Sequence, residues 1–274
     1  MAGGRAVQNA DLIAYNKTGY HIARNLINPD LINRLCREGA LVCRGERGVV
    51  PGLTPDLRML SDEEVFQRIL AIHFPHHLSA LYTNFLSHPT IVDILTHLIG
   101  PHVKCMQSML FIKPPGMPGQ AWHQDEIPIP TQDRSLTGVW VALDDTTTEN
   151  GCMWVIPGSN RTGILYERRP HDDPRYDGTP QATGMPYAED DAVPVEIEKG
   201  SVLFFNGYLL HRSLPNVTAD QWRRTLVMHY MSAESVLTWS GMQDYRDVVL
   251  VAGKDPYAHK GITRHYRPYL RRPR

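Results

Sequence analysis

Along the first hundred residues the apolar positions recur mostly at helical spacing. In "NPDLINRLCREGALV" (28–42) Asn28 stands at a capping position, Pro29 in the first turn, and Leu31, Ile32 and Leu35 on one face. "SDEEVFQRILAI" (61–72) opens with Ser61 and Glu64 at capping-box spacing and predicts another helix. "HPTIVDILTHLIGP" (88–101) predicts a third that stops at Gly100-Pro101. From residue 102 the period changes. "VKCMQSMLFIK", "LTGVWVALDD", "CMWVIPG", "AVPVEIEKG", "SVLFFNG" and "RRTLVMHYMS" are short runs rich in Val, Ile, Phe and Trp, separated by Gly, Pro and Asn, and they predict strands. The expected fold class is mainly β with flanking α: a double-stranded β-helix, of jelly-roll or cupin-like barrel type, buttressed by N-terminal helices. The pattern is read as one domain, with a mainly helical buttress over 1–101, a barrel core over 102–235 and a C-terminal segment over 236–274. The polar stretch 164–193 inside the core is too long for an ordinary strand connection and is expected to act as a lid.

Composition narrows the setting. With 42% hydrophobic and 21% charged residues and a net charge of −1, the chain reads as globular, without a global attraction for nucleic acid. Basic charge gathers in 260–274, where Lys260, Arg264, Arg267, Arg271, Arg272 and Arg274 stand without an acid. That tail is expected to be a solvated or loosely docked end, the other reading being an anion or acyl-CoA site. Cys36, Cys43, Cys105 and Cys152 show no Cys-x-x-Cys spacing and are read as reduced thiols. The opening "MAGGRAVQNADLIAYNK" holds no apolar signal core and no run of about 18 apolar residues occurs, so a cytoplasmic protein without a membrane partner is expected. The sequons at Asn16, Asn160 and Asn216 are then accidental. Oligomeric state stays open.

The candidate chemistry begins with two His-x-Asp pairs. His171 and Asp173 lie in the long polar stretch between Pro170 and Pro174 and are read as loop charges. His123 and Asp125 sit between two predicted strands, where alternation directs both to one side of an extended segment. A third ligand is needed, and His211 follows the run "SVLFFNGYLL" at the edge of a turn. Two imidazoles and one carboxylate with open positions are the set expected of non-haem iron(II) oxygenases. His73, His76 and His77 have a zinc-like spacing, but Pro75 interrupts them. Twelve residues beyond His211, one arginine of "RRTLVMHYM" is expected inside the barrel mouth, gripping a carboxylate and so implying a dicarboxylic co-substrate. Arg223 shares a strand face with Thr225, Val227 and His229, Arg224 with Leu226, Met228 and Tyr230, and parity alone leaves the choice open.

Taken in order, "AWHQD", "LTGVWVALDDTTTENGCMWVIPGSNRTG", "KGSVLFFNGYLLHRSLPN" and "RRTLVMHYMS" resemble the signature blocks of the phytanoyl-CoA dioxygenase family of iron(II)/2-oxoglutarate-dependent oxygenases, over roughly residues 100–235. The resemblance implies His123, Asp125 and His211 as iron ligands and Arg223 as the residue holding the distal carboxylate of 2-oxoglutarate. It also implies Gln107, Trp140 and Ser213 in the co-substrate pocket. Two departures stand out: the gap from His211 to Arg223 is one residue longer than usual, keeping Arg224 in play, and Pro128 replaces an aromatic, altering the substrate wall. The chemistry implied is consumption of Fe(II)-bound 2-oxoglutarate and O2, with release of succinate and CO2, coupled to hydroxylation or desaturation of a small-molecule or acyl substrate. Arg161, Arg168 and Arg169 would favour an anionic one. Two rivals are a jelly-roll module that binds metal and a small acid without turnover, and a cupin-like metal-dependent isomerase or lyase. Neither needs the added arginine, and succinate formation separates all three.

Overall fold

The structure is a computed structural model and describes residues 9–272; the start of the opening stretch (1–8) and Arg274 of the basic tail lie outside the described residues. The chain opens with helix α1 (Asn9–Thr18), strand β1 (Tyr20–Ala23), α2 (Pro29–Cys43), α3 (Asp62–Phe66), β2 (Ala71–His73), α4 (Ala80–Phe85) and α5 (Pro89–Leu98). The β region follows as β3 (Val103–Lys113), β4 (Gln120–His123), β5 (Thr137–Ala142), β6 (Met153–Val155), β7 (Arg168–Arg169), β8 (Gln181–Ala182), β9 (Val193–Val195), β10 (Val202–Asn206), β11 (His211–Ser213) and β12 (Arg223–Ser232). β13 (Val249–Ala252) and β14 (Tyr269–Arg271) complete the order.

Two antiparallel sheets form a jelly roll. The larger runs β1-β10-β5-β12-β3-β2-β14, with β13 also on β3, and the smaller runs β4-β11-β6-β9. Alternation along the central strands sends side chains to two different places. Val139, Val141, Phe204, Leu226, Met228 and Tyr230 pack outward with Ile32, Leu35, Tyr82 and Leu95 of the helices. Trp140, Leu203, Phe205 and Val227 point inward and meet Met153, Val155 and Val195 of the smaller sheet. Strands buried on both faces read as continuous apolar runs, which is why these segments show so little polar alternation in sequence.

The helix expected over 61–72 is cut short. The Ser61–Glu64 capping box forms, but the helix ends at Phe66. Leu70 N then donates to Arg271 O, Ile112 N donates to Leu70 O, and Ala71–His73 pair with Phe111–Met109 on one side and Arg271–Tyr269 on the other. Two flanking strands supply ladder partners that a helix there would forfeit, so tertiary pairing overrides local propensity. The same strand β14 restricts the expected solvated or loosely docked tail: residues 261–267 are mostly exposed, but 269–271 are part of the main sheet, and Lys260 pairs with Asp244 at 2.7 Å. The long polar stretch is likewise structured. β7 and β8 make a hairpin, Tyr166 and Ala182 are buried, and Gly119 bridges to Tyr176. No helix among the described residues is long and apolar enough to cross a membrane.

Candidate metal and dicarboxylate site

Between the sheets lies a cavity of about 330 Å³. His123 is the last residue of β4, and β11 begins at His211 directly across from it in register. The extended segment that sequence predicts through Asp125 ends at His123, two residues sooner: Asp125 opens a turn closed by Ile129 N donating to Asp125 O at 3.0 Å. That turn still carries the carboxylate back over the pair. Asp125 Oδ1 lies 3.7 Å from Nε2 of His123 and 3.7 Å from Nε2 of His211, and the imidazole centroids are 4.0 Å apart. All three residues are buried, with candidate ligand atoms within 4.8 Å of one another.

The backbone sets the imidazoles for ligation. His123 Nδ1 faces Ala121 O at 2.8 Å and His211 Nδ1 faces Leu209 O at 3.0 Å. A carbonyl only accepts, so each Nδ1 carries the proton and each Nε2 keeps its lone pair toward the cavity. Burial, and after it the neighbouring His211, hold His123 down at about 4, so it is neutral at pH 7. Burial pushes the Asp125 carboxyl up, but His211 and His229 outweigh it and hold it below the usual range as a carboxylate. His229 Nε2 donates to Asp125 Oδ2 at 3.0 Å, which leaves Oδ1 turned to the same point as the two Nε2 atoms. Two imidazole nitrogens and one carboxylate oxygen converging on one point fit a divalent transition metal.

Parity is decided on β12. Its pairing with β3 runs unbroken from Arg223↔Lys113 to His229↔Gln107, so Arg223 points into the cavity with Thr225, Val227 and His229. The turn before it is held by Asn216, whose Nδ2 donates to Lys113 O and Gln221 O. Arg223 is 5% exposed, lies 5.8 Å over the Trp140 ring and bonds only Thr225 Oγ1, at 3.3 Å, leaving Nε without a partner. Burial lowers its pKa to about 10, which keeps it cationic at neutral pH. Arg224 faces the helices instead, with Nε and Nη2 on the two oxygens of Asp144 at 2.8 and 2.6 Å.

Gln107, Trp140, Ser213 and Pro128 all line the cavity, and Gln107 Oε1 is a second buried orphan. Ser213 Oγ accepts from Lys113 Nζ at 3.0 Å and Gln120 N at 3.2 Å. Arg161 is not brought there: it sits exposed in a 3-10 turn, Ser159–Thr162, while Arg168 from β7 lines the cavity. His171 and Asp173 stay outside, with His171 on Thr179 O and Asp173 paired to Arg175. His73, His76 and His77 do not converge; they bond Tyr269 Oη, Ser108 Oγ and Asp247 respectively. Sequence reasoning gave His229 and Lys113 no part in the site, weighed His73 only as a zinc ligand, and took Arg271 only as one charge of the basic tail. The first two carried a signal, since His229 shares the Arg223 face and Lys113 closes the strand that pairs with it.

The family model described as phytanoyl-CoA dioxygenase matches residues 15–225. Among curated relatives, phytanoyl-CoA dioxygenase of Arabidopsis thaliana is 31% identical over 59% of this chain and 56% of its own length. Phytanoyl-CoA dioxygenase domain-containing protein 1 of Danio rerio is 36% identical over 61% of this chain and 58% of its own. Peroxisomal phytanoyl-CoA dioxygenase of Rattus norvegicus is 27% identical over 88% and 74%. The chain thus spans little more than half the length of the first two. Among solved structures, the apo form of the non-heme monooxygenase ThoJ superposes with a TM-score of 0.71 at 22% identity, covering 96% of this chain and 88% of that one. The epimerase SnoN, in complex with Fe3+, alpha ketoglutarate and nogalamycin RO, gives 0.62 at 21% identity, covering 83% and 84%.

Proposed function

Because the chain belongs to the phytanoyl-CoA dioxygenase family, we propose that it is an iron(II)- and 2-oxoglutarate-dependent dioxygenase that hydroxylates, or by the same chemistry desaturates, a small-molecule substrate. The observation that carries this reading is one cavity holding both a His-Asp-His set and an unpaired buried arginine. His123, Asp125 and His211 would hold the metal, and Arg223 the distal carboxylate of 2-oxoglutarate, with Ser213, Gln107 and Trp140 around it. Bound iron, together with 2-oxoglutarate and O2, supplies an oxidative decarboxylation to succinate and CO2 that is coupled to attack on a C–H bond.

The protein's share is binding and orientation. Carbonyls at Ala121 and Leu209 fix the imidazole tautomers, and His229 turns one carboxylate oxygen away from the metal position. The Arg223 fork suits a carboxylate bidentately, and Trp140 and Val227 keep water from that ion pair. Lys113, whose Nζ donates to Ser213 Oγ and Leu214 O, brings a second nitrogen donor to the same pocket, its ammonium held well below the usual lysine range by burial and then by Arg223. Residues 164–193 supply Arg168, Asp177 and Thr179 to the cavity wall, which suits a segment that covers the substrate.

The test is succinate release from 2-oxoglutarate under air with iron(II), comparing wild type with His123→Ala, Asp125→Ala and His211→Ala, and with His171→Ala as a control. Turnover should vanish in the first three and persist in the fourth. Metal binding retained by the first three and lost in the control would sink the assignment.

A further inference from the structure

The charges lining the cavity do not balance. Lys113, Arg168, Arg212, Arg223 and Arg271 face it, against Asp125 and Asp177 as the carboxylates. Arg212 is neutralised from outside the wall by Glu189 and stacks over Trp122 and Trp154. Arg271 Nη2 takes Asp177 Oδ2 at 2.9 Å. Of the rest, Arg223 is set against Asp125 in the lining, and burial with Arg223 nearby holds the Lys113 ammonium well below the usual lysine range, so the cation left over is Arg168. A divalent metal and the 2-oxoglutarate dianion cancel each other, so loading the site leaves this surplus in place. Arg168, half-buried on β7, also lines the cavity, and its side chain has no hydrogen-bond or ion-pair partner among the described residues. A partly desolvated guanidinium with no partner in a ligand cavity is an anion receptor awaiting its ligand.

The same wall also carries apolar surface from Met109, Pro128, Ile129 and Trp239. The volume, about 330 Å³, is at the small end of small-molecule pockets, which span about 300–1,000 Å³. Resting on the function proposed above, we propose that the primary substrate is a compact anion, with a carboxylate or phosphate group held by Arg168 and an aliphatic body reaching the metal. Arg271 has a separate part. It occupies Asp177, a carboxylate in the same wall that would otherwise repel the substrate's charge or take Arg168 for itself.

The experiment is calorimetric titration of the protein loaded with manganese(II) and saturating 2-oxoglutarate under nitrogen, so that the co-substrate subsite is filled and no turnover is needed. The probes are hexanoate against hexanamide, and hexyl phosphate against hexanol. One anion should bind at least tenfold tighter than its neutral counterpart, and which one does so identifies the group. Arg168→Gln should erase that preference and Arg168→Lys keep part of it. Arg271→Gln should weaken the anion, and adding Asp177→Asn should restore it, a recovery that a merely structural role of Arg271 does not give. Neutral and anionic probes of equal affinity, no anion binding at all, or wild-type preference in Arg168→Gln each overturn the proposal while 2-oxoglutarate still binds. Failure of the wild type to take up manganese and 2-oxoglutarate brings down the oxygenase reading, and this one with it.

Discussion

Two adjacent arginines of one strand face opposite environments, and substitution should separate them. Arg223 is buried with Nε unpaired, so Arg223→Ala should cost 2-oxoglutarate about 2–5 kcal/mol of binding, some 30-fold to several thousand-fold in Kd, with little change in melting temperature. Arg224 is occupied by Asp144 and lies 5.5 Å over the Phe66 ring, so Arg224→Ala should leave that Kd alone and cost about 1.5–3 kcal/mol of stability. Fluorescence titration and thermal melts on both variants check this; a larger affinity loss at Arg224 reverses the strand assignment. His229 supports a further prediction. With its Nε2 holding Asp125 Oδ2, His229→Ala should weaken manganese(II) binding about 10–100-fold although all three candidate ligands remain. An unchanged binding curve by electron paramagnetic resonance removes its positioning role.

The elements hold the site through close packing at a few small residues. On β5 a Cβ at Gly138 would lie 2.2 Å from the Phe205 ring, whose centroid is 4.9 Å from that of His211. Gly138→Ala should therefore cost about 1–3 kcal/mol of stability and also loosen the metal, because the displaced Phe205 ring packs on a candidate ligand. A melt shifted without any loss of metal affinity places the strain elsewhere. The longer elements were legible before folding: Asn28 caps α2, and the run Val103–Lys113 is β3 to the residue. Their signals are local, a cap and a long apolar run. β1, β2, β4 and β14 have three or four residues each, too few to show a period, and pairing with distant strands makes them strands at all. The same divide runs through the site. His123, Asp125 and His211 were readable because a motif and a spacing carry them, whereas His229 acts through a carboxylate 104 residues away. Arg271 arrives on a segment that composition alone marks as a loose basic tail.

Across the whole molecule, buried histidines tie stability to pH. Burial first, and then Arg271 and His229 around His73 and His77 around His76, hold these two side chains down to about 3. Asp247 works the other way on His76, and Arg264 with His77. Unfolding returns each to an ordinary value near 6.5, so between about 3 and 6.5 the unfolded chain binds more protons and stability falls as pH falls. Each histidine should add a slope of up to about 1.4 kcal/mol per pH unit in that window and none above it. Denaturant midpoints of the metal-free protein between pH 4 and 8 check this, with His76→Gln expected to flatten the acid limb; an equal slope in the variant assigns the acid sensitivity to other groups.

The lodging of β14 against β2 has a consequence for how the chain is made. Tyr269 stacks on His73 at 4.2 Å, an encounter between residues 196 positions apart, and Arg271 is delivered to the cavity by the same pairing. During synthesis β2 is complete long before its outer partner exists, so a nascent molecule has its two main sheets and its metal donors while one wall still stands open. Pairings this distant in sequence form late and slowly. Until this one forms, the Leu70–His73 edge offers unpaired backbone to any neighbouring strand, making this corner of the sheet the point where chaperone protection matters most.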